Sequence, residues 1–305
     1  MVRLDTLEKA GYRIRVIPSH HAADAREIFI SYQLKGWFDQ EYYKETAAYF
    51  NFAPPAELPD VRSIILMTYA DPPTRFTFHQ NGRAIPAIVP PTYLHGREKD
   101  QVCAEALQRV LDPEGYKIMI APLPLKTIAT SNGLARYGKN NITYIDGFGS
   151  FYRMVAFYSD MPCLDDPWNV PCMLPTCQTC KGCLRNCPSG AISDDRFLLY
   201  AERCLTYHNE KPSDIPFPTW FKTEWHNYLV GCMDCQMKCP ENRHAASFVD
   251  GMAFSEEETR MILDGLPSEQ MPAALREKLK QCDLLRFFDL LPRNLTALLS
   301  RLTTS

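Results

Sequence analysis

The sequence predicts an α+β protein in three parts: a mixed α/β domain over residues 1–160 with a helical N-terminal part, a cysteine-rich module over 161–245, and a helical tail over 246–305. Three observations predict it. β-rich runs alternate with amphipathic runs through the first half. Apolar periodicity then gives way to cysteine, proline and polar residues between Met161 and Arg243. Helical periodicity returns after Phe254 and carries a Ser cap with an acidic first turn.

Taken in order, "DTLEKAG" reads as a short helix with an Asp cap, stopped at Gly11. "HAADAREIFISYQLKG" has apolar residues at helical spacing and ends at Gly36, and "QEYYKETAAYF" is aromatic on one side. The whole stretch to about Pro59 is expected to be mostly helical. Val61 to Ala70, "VRSIILMTYA", is too short and too β-branched for a helix and reads as a buried strand. Pro72 to Gly96 reads as a long proline- and glycine-marked loop, a kind of connection that often covers a site. "REKDQVCAEALQRVLD" follows as an amphipathic helix, "GYKIMIAPLP" as a strand, and "LKTIATSNGL" as a helix ended by Asn132 and Gly133. Two β-rich runs around "DGFG" predict a hairpin. In the tail, "SEEETRMILDGL", "SEQMPAALREKLKQC" and "DLLRFFDLLPRNLTALLSRL" read as helices.

Hydrophobic residues make up 46% and charged residues 23%, an ordinary soluble composition, and the formal net charge is −3. That balance provides no global attraction to nucleic acid. Charges or prolines interrupt every apolar run before membrane-spanning length, so no membrane partner is expected. The first residues lack the apolar core of a signal peptide, and a cytoplasmic location is expected. In that compartment cysteines read as metal ligands rather than disulfides.

Nine of the twelve cysteines fall between Cys172 and Cys239. The run "CQTCKGCLRNCP" places Cys177, Cys180, Cys183 and Cys187 before Pro188, which is the bacterial ferredoxin pattern. Two intervening residues let the chain curl round a cube and aim thiolates at different iron corners. The fourth cysteine leaves on a short helical turn and reaches the other cube. A second set, Cys204, Cys232, Cys235 and Cys239 before Pro240, completes eight thiolates, enough for two [4Fe-4S] clusters. By the crossing rule, cluster one takes Cys177, Cys180, Cys183 and Cys239. Cluster two takes Cys187, Cys232, Cys235 and Cys204, with Cys172 as the rival for the last position. A zinc site is the competing reading. Cys103 and Cys282 lie in helical runs and read as small buried apolar residues, and Cys163 reads as structural.

Beyond the cysteines, "PLKTIATSNGLARYGKNNITYIDGFGSFYRMVAFYSDM", followed by the two motifs, resembles the epoxyqueuosine reductase family, whose core is similar to that of reductive dehalogenases. "SNGLARYGKNN" matches the segment before that family's hairpin. "GCMDCQMKCPENR" matches its second cluster motif, with Glu241 where the family usually has Trp, and "LLPRNL" resembles its tail. The resemblance implies a flavin-reductase-like α/β domain that holds cobalamin, and two [4Fe-4S] clusters that feed it electrons. It implies Arg97, Tyr137, Gly138, Lys139, Asn140, Asn141, Tyr144, Gly149 and Ser150 as cofactor contacts. The family's acid loop, "Y-A-R-G-R-D-Y-H", aligns with "YLHGREKD", which puts Glu98 at the acid position, with His95 as a second proton donor. From the residues alone, Glu98 also reads as a first-turn helix stabiliser.

The expected function is a cobalamin-dependent reductase supplied by an external electron donor such as flavodoxin or ferredoxin. Its implied substrate is a small molecule or modified nucleoside. The family acts on a modified base in tRNA, but the charge balance and the acidic runs of the tail lend tRNA binding no electrostatic support. The alternative is an electron-transfer or activator protein for a corrinoid or other redox partner.

Overall fold

A computed structural model describes residues 3–46, 50–245, 247–267 and 269–303. At its centre is a four-stranded antiparallel sheet in the order β1-β2-β8-β5, formed by β1 (Arg13–Pro18), β2 (Ser63–Ala70), β5 (Ile118–Ile120) and β8 (Tyr152–Ser159). β2 lies inside the sheet, and its "IILM" run is buried on both faces. Ile65 and Met67 pack under α1 (Asp5–Lys9) and α4 (Gly96–Leu111), together with Leu7, Cys103 and Leu107. Ile64 and Leu66 point the other way, against Ala22 and Ala25 of α2 (His21–Leu34) and Ile128 and Ala129 of α5 (Leu125–Ser131). The period-two alternation of one strand thus builds a three-layer α/β/α domain.

β1 corrects the expectation of a mostly helical N-terminus: "RIRVIP" lies between two helices, and its pairing with β2 decides its state. α1 is capped at Leu4, with Asp5 as its first helical residue and not its cap. α3 (Gln40–Thr46) forms as expected.

The expected loop after β2 is instead a hairpin, β3 (Thr74–Gln80) and β4 (Arg83–Val89). Asn81 and Gly82 both take positive φ, at 51° and 72°, as a two-residue hairpin turn requires. Pro86 obscures the strand in the sequence, but β4 is an edge strand, where proline is tolerated. On the other side of β3 lies β9 (Val249–Phe254), in parallel. The tail is therefore not purely helical: it adds a strand before α9 (Glu256–Leu263), α10 (Ala273–Gln281) and α11 (Leu291–Thr303). Phe76, Phe78 and Phe254 form the floor on which Ile262, Leu275, Leu291 and Leu295 pack. The Ser255 cap is a complete capping box with Glu258.

A third pairing is the ribbon of β6 (Arg136–Tyr137) and β7 (Thr143–Tyr144). The hairpin expected around "DGFG" does not form between long strands. β7 pairs backwards with β6, β8 enters the central sheet, and a single Ile145–Gly149 bridge closes the turn. The cysteine module adds short helices α6 (Gly182–Asn186), α7 (Leu205–Asn209) and α8 (Asp234–Met237), with α6 packed on α8. No helix among the described residues is long and apolar enough to cross a membrane.

Two anchors hold the module. On the sheet side, Asn242 accepts from the Ser150 amide at 2.8 Å and donates to Ser150 Oγ at 2.8 Å, and Ser150 Oγ donates to Gln236 at 2.8 Å. On the tail side, Asn294 Nδ2 donates to the carbonyls of Asn209 at 2.7 Å and Leu229 at 3.0 Å. Arg293 donates to the carbonyls of His208, Asn209, Lys211, Pro212 and Ile215. The "PRN" of the tail thus fastens the insertion that separates the two cysteine sets.

Candidate double-cluster site

The fold brings the cysteines together in two groups. Cys177, Cys180, Cys183 and Cys239 line one small cavity with Gly138, Lys139, Asn140 and Tyr144. Cys204 lies within electrostatic range of Cys187, and Cys235 within range of both, while Cys232 neighbours Cys204 and Cys235. Burial is the main cause that raises the thiols of Cys183, pushed up to about 11, and of Cys204, Cys232, Cys235 and Cys239. Desolvated thiols gathered in this way are stabilised as thiolates by a bound cation.

The spacing discriminates between metals. A tetrahedral zinc site, with Zn–S near 2.3 Å, draws its four sulfurs to within about 4 Å of one another. Among the described residues, only His20, His21 and Asp24 bring three possible ligand atoms within 4.8 Å of one another. The thiolates are spread farther apart, as they must be when each binds a different iron of a cube. The donor set and its spacing fit two iron–sulfur cubes.

The "YGKNN" segment lies on these sulfurs. The Lys139 amide donates to Cys177 Sγ at 3.4 Å. Asn140 Nδ2 donates to the Tyr144 hydroxyl at 2.8 Å. Asn140 neighbours Cys235, and Tyr144 neighbours Cys239. Gly138 is required here: a Cβ would come within 2.5 Å of Asn140 Oδ1 and 2.6 Å of the Tyr144 ring. Gly138, Lys139, Asn140 and Tyr144 are therefore arranged around thiolates. Tyr137 is buried beside Phe197, with its hydroxyl 3.4 Å from Thr127. Ser150 is taken up by the Asn242 anchor, and a Cβ on Gly149 would collide with Asn242. Cys172 is exposed beside β6, where its carbonyl accepts from Tyr137.

Beside the Cys204–Cys232–Cys235 group lie several polar side chains. The Tyr93 hydroxyl, next to Gly231, donates to Glu210, and the thiolates of Cys204 and Cys232 help raise its pKa after burial. Solvent reaches Glu210, yet protein surrounds it on most sides, and this desolvation raises its carboxyl above the usual range. Lys126 has the same character: exposed at its tip but crowded by protein, with its ammonium lowered by desolvation and supported by Cys204 and Cys235. Its Nζ donates to the Asn141 carbonyl at 3.3 Å, and the buried Asn141 Nδ2 has no partner. Asn141 itself takes φ 59°. Sequence reasoning missed Lys126, Tyr93 and Glu210, because no motif links residues so far apart.

The acid-loop candidates fall nearby but point elsewhere. Glu98 sits exposed in the first turn of α4, beside exposed Arg97. His95 takes φ 56°, and its amide donates to Asp283 at 2.6 Å. Lys99 pairs with buried Asp71, and Asp100 takes Arg153 in a two-pronged pair, both contacts at 2.7 Å. These pairs lock the start of α4 onto β8 and the end of β2.

On the opposite side of the module, a cavity of about 640 Å³ adjoins the Cys177 group and shares Tyr144, Thr176 and Pro240 with it. Its wall combines small residues such as Gly133, Ala135 and Gly147 with the polar and charged Arg136, Asp146, Glu241 and His244.

Residues 176–242 match the family described as a 4Fe-4S double cluster binding domain. Epoxyqueuosine reductases of Xanthomonas campestris and Pseudomonas aeruginosa are 32% and 33% identical over 152 residues, 49% of this chain. That of Atelocyanobacterium thalassa is 23% identical over 241 residues, covering 76% of each chain. The chain is epoxyqueuosine reductase-like. The matches span about two fifths of the first two relatives, 41% and 40% of their lengths. The fold of this epoxyqueuosine reductase-like chain is that of the solved Bacillus subtilis epoxyqueuosine reductase, with TM-score 0.67 and 18% identity over 98% of this chain and 80% of that one. The Streptococcus thermophilus enzyme gives 0.65 and 17% over the same shares.

Proposed function

We propose that this chain is an iron–sulfur reductase in which the Cys177–Cys239 and Cys187–Cys235 groups would each hold a [4Fe-4S] cluster, supplying electrons by way of the second group to a cobalamin that the chain would hold beside it. The single observation that carries this reading is the gathering of the cysteines into two groups with Tyr93, Lys126 and Glu210, whose pKa values are displaced by desolvation, beside the second. A carrier or activator protein has no use for such displaced groups, which favours catalysis over the alternative. The orphaned amide of Asn141 and the open tip of Lys126 suit a large ligand with polar groups at its rim. When bound, cobalamin supplies a strongly reducing cobalt centre.

The chain's own residues do the rest. Lys126 orients an anionic group by charge and hydrogen bonding. Tyr93 and Glu210 hold a proton between them, where desolvation keeps the Glu210 carboxyl closer to neutrality than an open one. The substrate class follows from likeness: one epoxyqueuosine reductase was solved with an epoxyqueuosine-modified tRNA-Tyr stem loop. A modified nucleoside is the substrate proposed here, with tRNA as its carrier and an external flavodoxin or ferredoxin as donor. Glu98 is retained as the acid of the aligned loop, to be compared directly with Glu210.

The test is anaerobic reconstitution with iron, sulfide and cobalamin, followed by EPR and assay on an epoxyqueuosine-containing stem loop. Retained corrinoid, a cobalt signal that changes on reduction, and conversion of the nucleoside are expected. Clusters that reduce normally without corrinoid retention or product would favour the carrier.

A further inference from the structure

A second set of metal-binding side chains lies apart from the cysteines, at the start of α2. The run "HHAAD" places His20 and His21 at the helix start and Asp24 one turn on, on the same face. A ring nitrogen of each histidine and a carboxylate oxygen of Asp24 lie within 4.8 Å of one another.

His21 is the fixed member. It is 4% exposed, and its ring stacks on Trp168 with centroids 4.2 Å apart and planes 8° apart. Carboxylates meet both of its ring nitrogens, Asp24 at Nδ1 at 2.6 Å and Asp166 at Nε2 at 2.7 Å. Asp166 is itself aimed, because its Oδ1 accepts from the Trp168 amide at 3.2 Å. A neutral imidazole carries one proton and can satisfy only one of the two carboxylates. The other then faces a ring lone pair. A positive charge must therefore lie on the ring or beside it, as a second proton or as a cation between Nδ1 and Asp24.

His20 favours the cation. Its ring centroid lies 4.1 Å from that of His21. An imidazolium gains nothing from a second imidazole beside it, whereas a metal ion gains a donor. Asp166, on Nε2, stands where a carboxylate commonly orients a metal-bound histidine from the far side. Two imidazoles and a carboxylate, without sulfur, suit zinc and its neighbours in the first transition row.

We propose that His20, His21 and Asp24 form a site for a divalent metal of the zinc type, with Asp166 orienting His21. Ligation replaces the Nδ1 proton, which passes to solvent. Donors around a tetrahedral ion with bonds of 2.0–2.2 Å stand about 3.4 Å apart. The His21–Asp24 pair therefore opens slightly, and the exposed His20 closes on it. Asp166 and Trp168 belong to the segment that leads from β8 into the cysteine module. A metal on His21 thus pins that segment to α2.

The experiment is calorimetric titration with zinc chloride of the anaerobically reconstituted full chain, first cleared of loose metal on a chelating resin. Wild type is expected to bind one zinc more per chain than His20→Ala or Asp24→Asn, a difference that holds whatever the thiolates carry. Asp166→Asn is expected to weaken that zinc roughly 10- to 100-fold. Cys163→Ser and Cys172→Ser are expected to leave it unchanged, which separates the site from the leftover thiols. Zinc is also expected to slow chymotryptic cleavage after Leu164, which is 92% exposed in the pinned segment, in wild type but not in His20→Ala. His20 is exposed, so His20→Ala carries the test should Asp24→Asn fold poorly. Equal zinc content and equal protection in wild type and His20→Ala would overturn the site and leave His21 as a protonated link between two carboxylates.

Discussion

The two thiolate groups differ in what surrounds them. The Cys177–Cys239 group is held against the α/β domain by Asn242 and Ser150 and adjoins a cavity that Arg136, Asp146, Glu241 and His244 help to line. The Cys187–Cys235 group is held against the tail by Asn209, Arg293 and Asn294 and neighbours Tyr93 and Lys126. One anchor is made by backbone and uncharged side chains, the other includes a guanidinium. Beside the second group, desolvation displaces the pKa values of Tyr93, Lys126 and Glu210, and such displaced groups cluster where chemistry is done. Under the proposed function, electrons would arrive at the first group and be used beside the second.

The sharpest way to break the comparison is to delete each side separately. Cys235→Ser is expected to remove roughly half of the iron and abolish turnover, because the cluster of the second group is lost. Cys180→Ser is expected to remove the other half, yet leave a cluster that a small reductant can still reduce. Iron analysis and EPR check both. If either variant loses all of its iron, the two groups are not separate sites.

Next in size are the polar residues beside the second group. Glu210→Gln is expected to slow conversion about 100-fold at full iron content, the usual scale for losing a general acid. Glu98→Gln provides the comparison in single-turnover kinetics, and equal losses in both would place the acid function on the α4 loop as well.

His226 sharpens the tail side of the comparison. It is 1% exposed beside Phe217 and Phe221, and burial, followed by Arg293, lowers its pKa to about 4. Its ordinary value is 6.5. As pH falls below 6.5, the unfolded chain takes up the proton first, so stability present above 6.5 is lost progressively down to about 4. The loss is about 3 kcal/mol at most. His226→Leu is expected to flatten that acid limb in anaerobic urea unfolding at a series of pH values. A slope identical to wild type would contradict the burial argument.

The smallest expected effect is on the sheet side. Asn242→Ala leaves the Ser150 amide unpaired and is expected to cost about 1–3 kcal/mol in the same unfolding assay. Cluster potentials should stay in place, since Asn242 meets no thiolate among its hydrogen bonds.

What the sequence made legible follows physical range. The cysteine spacings, the β2 and β8 strands and the Ser255 cap depend on neighbours a few residues apart, and each is readable in the chain. The hairpin of β3 and β4 was hidden by Pro86, which is harmless only because that strand lies at an edge. β1 and β9 owe their state to partners about fifty and 175 residues away, at Thr68 and Thr74. The polar residues beside the second group are the extreme case. Tyr93, Lys126 and Glu210 come from a loop, a helix start and a helix end; only the folded chain brings Tyr93 and Lys126 beside Cys204, and Glu210 onto Tyr93. Lys99 and Asp100, which depart from the family's acid-loop pattern, are explained by their pairs with Asp71 and Arg153.

The most direct test is a reductive titration of the anaerobically prepared, fully reconstituted chain, followed by EPR with metal and sulfide analysis of the same sample. Two magnetically interacting four-iron clusters per chain, filling with electrons in sequence, are what the interleaved thiolates predict. A single isolated cluster, or zinc in place of iron with no acid-labile sulfide, would contradict the account at its root.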